Sequence, residues 1–510
     1  MIAVVNYGSQ FTHLIARRLR EFNVHAEVVP ADITAAGMKK LSPTGIILSG
    51  GPHGIYEDNA PSLDPAVLKL GIPVLGICYG EHVMVQLLDG KVDPGESGQY
   101  GKEILRATEE SVLFTGLPEE QIVWFSHGDM VSKLPRGFRA IGVTKSCDYA
   151  AIEHPTKQMY ALQFHPEVVH TEYGMSLLQN FALSICDDPA EWTTARVKEE
   201  IVSELEAQIT DGDVIVAVSG GVDSMVAATV LNELMPEKLH AVFVNHGLLR
   251  KDEVDEVSEA FEQQGFRDFR VVDAVDLFLD KLAGVTDPEE KRRIIGHTFI
   301  EVFEAEAKKL AKQADVRYLA QGTIYPDRIE SAQPSKHASK IKSHHNLTLP
   351  EKLDMEIVEP IKELYKDEVR KLGLQLELPK HLLERHPFPG PGLAIRIPGE
   401  VTRERLEILR AADAIYMQEL RSAGLYTQIW QAFAALLPVK SVGVMGDSRT
   451  YEFMISLRAV NSVDGMTADW FQFPPDVMQQ ISTRIVNEVR GVNRVVYDVT
   501  QKPPGTIEYE

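Results

Sequence analysis

Short apolar runs recur along this chain and alternate with stretches of helical periodicity. In the first third these runs are IAVVNYG, VHAEVVP, GIILSGGP, IPVLGICYG and MYALQFHPE. Strands buried on both faces read as continuous apolar runs, and intervening helices are the crossovers that a parallel sheet requires. The pattern predicts an α/β domain on a parallel sheet. DVIVAVSGG, LHAVFVNHG, FRVVDA and VRYLAQGT predict a second domain of the same kind.

Two junctions divide the 510 residues, which exceed what one hydrophobic core usually organises. Asp187, Asp188 and Pro189 read as the capped start of a helix. The cluster HPFPGPGL at residues 386–393 interrupts any regular element, and a long amphipathic helix over residues 402–422 follows it. VKSVGVMGD, YEFMISLRAV and NRVVYDV then predict a smaller α+β module. We expect domains at residues 1–190, 191–386 and 387–510.

Composition excludes several classes of protein. The 52 Lys and Arg against 74 Asp and Glu give a formal net charge of −22, which argues against a nucleic-acid partner. The sequence contains neither a secretory signal pattern nor an apolar run of about 18 residues, so we expect a cytoplasmic protein with no membrane partner. Cys78, Cys147 and Cys186 form no CxxC pair, so neither a disulfide framework nor a thiolate zinc site is expected.

Cys78 lies between two glycines where an apolar strand gives way to a helix. A thiol there faces a helix N-terminus, whose partial positive charge favours the thiolate. QFHPE offers His165 as a base and Glu167 as the carboxylate that holds the imidazole. The N–H groups of Tyr79 and Gly51 would receive an oxyanion. A buried structural cysteine is the alternative for Cys78 taken alone, and the three motifs in this order favour the nucleophile.

SGGP, GICYG and HPE in this order resemble the class I glutamine amidotransferases. The resemblance implies hydrolysis of glutamine through a thioester, release of ammonia and glutamate, and a triad of Cys78, His165 and Glu167. The family usually continues CYGMQ or CLGHQ, but this chain has Glu81 and His82 in the last two positions. The usual glutamine at the position of His82 helps to bind the substrate. His82 is then either a substitute donor or part of a helix pair with no role.

A second glycine-rich loop follows the strand DVIVAV. Its residues are Ser219, Gly220, Gly221, Val222, Asp223 and Ser224. Small residues let the backbone approach a phosphate, and the hydroxyls and helix N-terminus add donors. The loop lacks the Lys-Ser/Thr ending of the Walker A pattern and resembles the SGGxDS loop of the ATP pyrophosphatases. The resemblance implies ATP as co-substrate, adenylyl transfer and Mg²⁺ with Asp223 as its ligand. A glycine-rich turn without a ligand is the alternative.

Two later segments offer groups for a lid over ATP. QGTIYPDRIES carries Asp327 and Glu330, and KSHHN carries Lys342 beside two histidines. A closed lid would keep water from an adenylylated intermediate. A solvated loop is the alternative for both segments. Adjacent histidines point in different directions on any regular element, so we expect no zinc site.

The last residues, KPPGTIEYE, set a lysine, a diproline, a glycine and a threonine in a row, which suits a nucleotide monophosphate. With HPFPGPGL, GDSRTYE and VYDVTQ, they make the whole chain resemble the GMP synthetase family. That resemblance implies adenylylation of xanthosine monophosphate (XMP) by ATP and its amination to GMP, with release of AMP and pyrophosphate. It also implies a homodimer formed through the last domain. The implied XMP residues are Pro389, Gly390, Arg494, Lys502, Thr506, Ile507 and Glu508.

Other functions stay open at this point. A different ATP pyrophosphatase would amidate or thiolate a carboxylate or a tRNA base, against which the last residues and the acidic charge argue. The other alternative is an ammonia-dependent synthetase, or a nucleotide-binding regulatory protein, whose glutaminase is impaired by Glu81 and His82. Asn245 and His246, where the family often has Asp-Asn, are a further departure.

Overall fold

The computed structural model describes residues 1–332, 355–445, 448–462, 465 and 467–510. The chain forms two compact units, Met1–Val197 and Lys198–Glu510, and the division falls within a helix that spans Thr194–Gln208. The three-domain boundaries stay a prediction. Among the described helices, none is long and apolar enough to cross a lipid bilayer.

The first unit is built on a nine-stranded sheet. Its strands are β1 (Ile2–Asn6), β2 (Ala26–Pro30), β3 (Gly45–Leu48), β4 (Val74–Ile77), β5 (Lys91–Ala107), β6 (Glu120–Lys133), β7 (Arg139–Val143), β8 (Ala151–His154) and β9 (Met159–Leu162). They lie in the order β2-β1-β3-β4-β9-β8-β7-β5-β6. The first five pair in parallel and are the five predicted runs, and the other four continue the sheet in antiparallel pairs.

Two helices connect parallel strands of this sheet, a third follows β4 and a fourth follows β9. They are α1 (Thr12–Glu21), α2 (Ala35–Leu41), α3 (Tyr79–Leu87) and α4 (Gly174–Gln179). Every residue of β3, β4 and β9 is buried, which explains their unbroken apolar sequences. Since β4 ends one residue before Cys78 and α3 begins one residue after it, Cys78 lies at the carboxyl edge of the sheet.

The predicted helix start at Asp187, Asp188 and Pro189 was wrong, because the helix begins at Thr194. Asp188 instead accepts hydrogen bonds from the Met1 amino group at 2.6 Å and from Thr44 Oγ1 at 2.7 Å. Its carboxylate therefore bonds residues that directly precede β1 and β3. Burial alone would raise the pKa of Asp188, but these hydrogen bonds outweigh it, so the pKa lies below the ordinary value.

The second unit contains a five-stranded parallel sheet. Its strands are β10 (Asp213–Val218), β11 (Leu239–Asn245), β12 (Phe269–Asp273), β13 (Val316–Ala320) and β14 (Glu356–Val358), in the order β12-β11-β10-β13-β14. The helices from the division onward are α5 (Thr194–Gln208), α6 (Val222–Leu234), α7 (Glu253–Gln263), α8 (Val275–Leu282), α9 (Pro288–Leu310), α10 (Tyr325–Ala332), α11 (Lys366–Gln375) and α12 (Lys380–Leu383). The strand order reverses beside β10, and such a reversal leaves a ligand-binding crevice at the carboxyl ends of the strands.

The rest of the second unit is the predicted α+β module. A long hairpin pairs β15 (Gln431–Met445) with β16 (Ser448–Asn461), and β16 also pairs with β17 (Asp469–Trp470) and, in parallel, with β18 (Val492–Tyr497). Its helices are α13 (Arg403–Ser422) and α14 (Pro475–Glu488). Thr402 caps α13 by accepting from the Arg405 N–H at 3.3 Å. Apolar residues of this module share one core with Val244 of β11 and Phe278 of α8.

Candidate active sites

Cys78 occupies a sharp turn between β4 and α3. Its φ of 52° and ψ of −109° lie where side chains other than hydrogen are strained. The flanking glycines allow this close approach, since a Cβ on Gly80 would lie 2.2 Å from the Leu48 carbonyl oxygen and one on Gly76 would lie 2.9 Å from the Glu81 nitrogen. The turn points the sulfur out of the sheet at the start of a helix, as a nucleophile requires.

His165 and Glu167 complete the predicted constellation. His165 Nδ1 and Glu167 Oε1 are 2.6 Å apart, and both side chains are buried. Burial disfavours the charged imidazolium, yet the negative charge of Glu167 and the charge and hydrogen bond of Cys78 outweigh it, so the pKa of His165 lies well above the ordinary value. The arrangement favours a charged imidazolium beside the Cys78 sulfur, as the attack of a cysteine nucleophile on a carbonyl carbon requires.

The SGG turn after β3 also faces this site. A Cβ on Gly50 would lie 3.0 Å from His165 Cε1 and 3.8 Å from Cys78 Cβ, and one on Gly51 would lie 3.2 Å from Tyr79 Cδ1. The two glycines therefore let the turn pack closely against His165 and Tyr79, beside the nucleophile. The assignment of the Gly51 and Tyr79 N–H groups to an oxyanion stays a prediction.

Glu81 and His82, the two departures from the usual motif, both point into the protein. His82 Nε2 lies 2.9 Å from Gln163 Oε1, in the segment just before His165, and burial lowers the pKa of His82 despite that hydrogen bond. Glu81 is fully buried. Sequence reasoning missed Gln163. It directly follows β9, in which every residue is buried, and no local pattern marks it as part of the site.

His127 is a second histidine near this site that sequence reasoning missed. Its ring lies 6.5 Å from that of His82, and its Nδ1 lies 2.7 Å from the Asp129 carbonyl oxygen. Burial lowers the pKa of His127 to about 4, although that hydrogen bond acts in the opposite direction. His127 is therefore neutral at neutral pH.

The second glycine-rich loop joins β10 to α6 and is closed by its own hydroxyl groups. Ser219 N–H donates to Ser224 Oγ at 3.1 Å, and Ser224 Oγ donates to the Gly221 carbonyl at 3.0 Å. Gly220 has a φ of 75°, which only glycine adopts without strain. Gly221 is the N-cap of α6 and has no side-chain cap, so the first N–H groups of the helix, from Val222 onward, are available to an anion.

Lys366, at the first turn of α11, forms an ion pair with Asp223 Oδ2, while Asp223 Oδ1 is buried and has no hydrogen-bond partner among the described residues. The sequence analysis did not identify Lys366, because it lies far from the loop along the chain. Of the predicted lid residues, Asp327 lies in the first turn of α10 and accepts from the Ile324 N–H at 3.5 Å. Glu330 lies in the same helix, with its side chain outside what the structure describes, and Lys342 lies outside the described residues.

The structure brings the HPFPGPGL loop and the last residues together. Gln431 Nε2 donates to the Pro387 carbonyl at 3.2 Å and to Glu508 Oε1 at 2.6 Å. Arg396, fully buried, makes a bidentate ion pair with Glu508 at 2.9 and 3.1 Å. The predicted XMP residues Pro389 and Gly390 belong to the HPFPGPGL loop. Gln431 bridges that loop and Glu508, so the loop adjoins the last residues of the chain.

The other residues predicted for XMP are held by local contacts. Thr506 Oγ1 donates to the Glu508 carbonyl at 2.6 Å, and Lys502 Nζ donates to the Gly465 carbonyl at 2.7 Å. Ile507 is buried. Arg494 lies on β18, where its Nε donates to Ser441 Oγ at 3.3 Å on the hairpin rather than to the last residues.

Comparison with protein families identifies three stretches. A model described as "Glutamine amidotransferase class-I" matches residues 3–185, one described as "PP-loop domain" matches residues 193–274, and one described as "GMP synthase C terminal domain" matches residues 418–509. Fold and sites thus define a class I glutamine amidotransferase joined to an ATP-using PP-loop domain.

Curated relatives match along the entire chain. GMP synthase (glutamine-hydrolyzing) of Aquifex aeolicus is 52% identical over 510 residues, which cover 100% of this chain and 99% of that protein. The proteins of the same name from Thermosynechococcus vestitus and Nitrobacter hamburgensis are 51% and 52% identical, and each match covers 100% of this chain and 96% of the relative. The chain belongs to the GMP synthase family, and the resemblance inferred from its motifs is confirmed.

Proposed function

We propose that this chain makes GMP from XMP, with glutamine as nitrogen donor and ATP as the activating co-substrate. The observation that carries the proposal is the buried Cys78–His165–Glu167 constellation in a chain that also has a phosphate-binding loop at Ser219–Ser224. The regulatory and ammonia-only alternatives are not favoured, because the full-length relatives are named as glutamine-hydrolysing synthases. We place this enzyme in the cytoplasm, in keeping with the composition.

In the first unit, Cys78 attacks the side-chain amide carbon of glutamine. His165 donates a proton to the leaving ammonia, and water then hydrolyses the thioester to glutamate with His165 as the base. Glu167 fixes the imidazole orientation and stabilises its cation through the 2.6 Å hydrogen bond. The N–H groups of Gly51 and Tyr79 receive the oxyanion of each tetrahedral intermediate.

In the second unit, the C2 oxygen of XMP attacks the α-phosphorus of ATP. The bond to the β-phosphate breaks, pyrophosphate leaves, and ammonia then displaces AMP from the adenylylated purine. The loop amides and the hydroxyl of Ser219 hold the phosphates, Ser224 keeps the shape of the loop through its hydrogen bond to the Gly221 carbonyl, and Lys366 supplies a positive charge beside them. Asp327, Glu330 and Lys342 belong to the lid that we expect over ATP.

Asp223 is suited to hold Mg²⁺, because its buried Oδ1 has no hydrogen-bond partner among the described residues. Mg²⁺ is usually held by one or two carboxylates together with substrate phosphates, and when bound it neutralises the charge of the leaving pyrophosphate.

The XMP site lies along the HPFPGPGL loop and the last residues. Lys502, Thr506 and the backbone at Ile507 suit the phosphate, and Pro389 and Gly390 suit the purine. Glu508 supports this site through Arg396 and Gln431. Arg494 contacts Ser441 on the hairpin, so of the predicted residues it has the least support as an XMP ligand.

We also propose that two copies form a homodimer through the last part of the chain. The β15–β16 hairpin exposes Val442, Val444 and Tyr451. Val442 and Tyr451 are direct cross-strand partners, so these side chains share one face of the sheet. Exposed apolar side chains grouped on one face are typical of a surface that binds another protein.

The test uses Cys78→Ala and compares two nitrogen donors. Loss of the thiol removes the only proposed route from glutamine, but ammonium supplied in excess bypasses it. We expect XMP consumption, followed by absorbance, to be absent with glutamine and near the wild-type rate with ammonium. Loss of both reactions in a folded variant contradicts the two-site proposal.

A further inference from the structure

Arg458 is a buried cation to which the proposed reaction gives no role. It lies on β16 with 0% of its surface exposed. The neighbouring strand β18 ends at Tyr497, and the Asp498 N–H then donates to the Leu457 carbonyl at 3.0 Å, so the chain leaves the sheet directly beside Arg458. A buried charge must be matched by hydrogen bonds, and the acceptors of Arg458 therefore show what it holds in place.

The acceptors of Arg458 are carbonyl oxygens near the end of the chain. Its Nη1 donates to the Thr500 carbonyl at 2.5 Å and to the Asp498 carbonyl at 3.3 Å, and its Nη2 donates to the Thr506 carbonyl at 3.3 Å. The Asp498 carboxylate also forms an ion pair with Nη1 at 3.4 Å. Thr500 and Thr506 lie on either side of residues 501–505, which we call the terminal turn. One guanidinium thus bonds both ends of this turn.

The terminal turn carries groups that the proposed function assigns to the phosphate of XMP. Lys502 belongs to it, and Thr506 follows it directly. Within the turn, the Gly505 N–H donates to the Gln501 carbonyl at 3.0 Å. A guanidinium presents its donors in a rigid plane, so it fixes the spacing of the carbonyls that it bonds, which the single ammonium group of lysine cannot do. Arg458 therefore sets the distance between the two ends of the turn.

We propose that Arg458 is a positioning residue for XMP, which holds the terminal turn in its phosphate-binding conformation before the nucleotide arrives. The inference rests on the proposed XMP site at the end of the chain. Because none of its surface is exposed, Arg458 acts through the backbone of the turn and does not touch the ligand. A turn that is already ordered spares the nucleotide the entropic cost of ordering it, so XMP binds more tightly.

The test uses Arg458→Lys in the full-length protein and compares two ligands. Calorimetry measures the affinity for XMP and for xanthosine, which has the same base and sugar without the phosphate. We expect the affinity for XMP to fall about tenfold, the effect of one lost hydrogen bond to a charged group. The affinity for xanthosine, and the KM for ATP in the ammonium-dependent reaction, should keep their wild-type values because the terminal turn serves the phosphate of XMP.

Arg490→Lys is the matched control, since it makes the same substitution at an exposed arginine of the same module. It is expected to keep the wild-type affinity for both ligands. Equal losses of affinity for XMP and xanthosine in Arg458→Lys would show that Arg458 supports the fold alone. Unchanged affinity for XMP in a folded Arg458→Lys variant would equally overturn the proposal.

Hydrogen exchange tests the terminal turn in the wild type, without any nucleotide. The Gly505 N–H is bonded within the turn, and the Lys502 N–H donates to the Ala468 carbonyl at 2.8 Å. We expect both amides to exchange slowly in the wild type and about tenfold faster in Arg458→Lys. Amides that exchange freely in the wild type until XMP is added would overturn the preformed turn, even if the variant fails to fold.

The two measurements separate this inference from the proposed function. A wild type that binds xanthosine as tightly as XMP contradicts the assignment of the last residues to the phosphate. The exchange rates of the two amides in the wild type and in Arg458→Lys then still decide whether Arg458 holds the terminal turn.

Discussion

At the scale of single residues, the reactivity of Cys78 depends on an imidazole that stays charged inside the protein. Burial by itself would lower the pKa of His165, and Glu167 with Cys78 reverses that effect. A histidine with a raised pKa stabilises the fold fully below the ordinary histidine pKa, and this contribution is lost as pH rises through the raised value. The charged pair is therefore strongest at acidic to neutral pH.

Glu167→Gln tests this pair. The amide cannot balance the imidazolium, so the pKa of His165 falls, and we expect glutamine-dependent XMP amination to drop by about 10²–10⁴-fold. Ammonium-dependent amination should stay close to that of the wild type. Glu172→Gln, an exposed glutamate five residues further on, provides the control. Equal loss with both nitrogen donors would assign Glu167 to folding instead of to the glutaminase.

The residues of the triad could be predicted because three short motifs appear in a fixed order along the chain. The residues that surround the triad could not be predicted. Every residue from Tyr79 to Val85 in α3 is buried, so no polar face distinguishes Glu81 or His82 as inward-pointing in the sequence. Gln163 and Lys366 were missed for a related reason, since their partners lie far away in sequence and only the fold brings them close.

At the scale of elements, the phosphate-binding loop is supported by the chain that follows β13. A Cβ on Gly322 would lie 2.9 Å from the Ser224 nitrogen and 3.1 Å from the Asp223 carbonyl carbon, both of which are backbone atoms of the loop. Backbone cannot move aside as a flexible side chain would. The shape of the loop therefore depends on a glycine about a hundred residues later in the sequence.

We expect Gly322→Ala to weaken ATP binding about tenfold, since displacing the loop backbone by a few tenths of an ångström costs about 1–3 kcal/mol and ~1.4 kcal/mol is tenfold in affinity. The measurement is the KM for ATP in the ammonium-dependent reaction, with glutamate release as a check on the first unit. Gly296→Ala is the control, because its φ, like that of Gly322, lies outside the left-handed region and a Cβ there would meet nothing within 4 Å. An ATP KM equal to that of the control would refute the role of Gly322.

The sequence predicted every parallel strand of the nine-stranded and the five-stranded sheet except the short β14, since buried parallel strands have unbroken apolar runs. The antiparallel strands β5 to β8 were not predicted. Tyr100 and Ile104 on β5 and Ile122 on β6 are exposed, so apolar residues there do not mark the buried face. The predicted helix start at Asp187, Asp188 and Pro189 was wrong for a different reason, because Asp188 accepts a hydrogen bond from the Met1 amino group instead of capping a helix.

At the scale of the whole molecule, the hairpin surface of β15 and β16 is the proposed dimer contact. Val444→Lys combined with Tyr451→Lys places two charges on it, and we expect the measured molar mass in light scattering to fall from that of two chains to that of one. Leu374→Lys, at an exposed apolar position on α11, should leave the mass unchanged. A wild type of single-chain mass, or a charged variant that stays paired, would contradict this surface assignment.

The order of motifs predicted a chain with two kinds of chemistry, and the family comparison confirms it. The boundary near residue 386 is harder to derive from sequence. Side chains before it, such as Val244 and Phe278, share a core with Leu409 and Ile455 after it. A proline-glycine cluster marks an interruption of regular structure, and it does not by itself mark a break between cores.

The backbone turn at Cys78 links chemistry to a standing conformational strain. Glycine would relax a residue with φ of 52° and ψ of −109°, so the version of this protein without its sulfur is the one that folds with less strain. The strain accompanies the presentation of the sulfur at the start of α3, so stability and reactivity oppose each other at this residue.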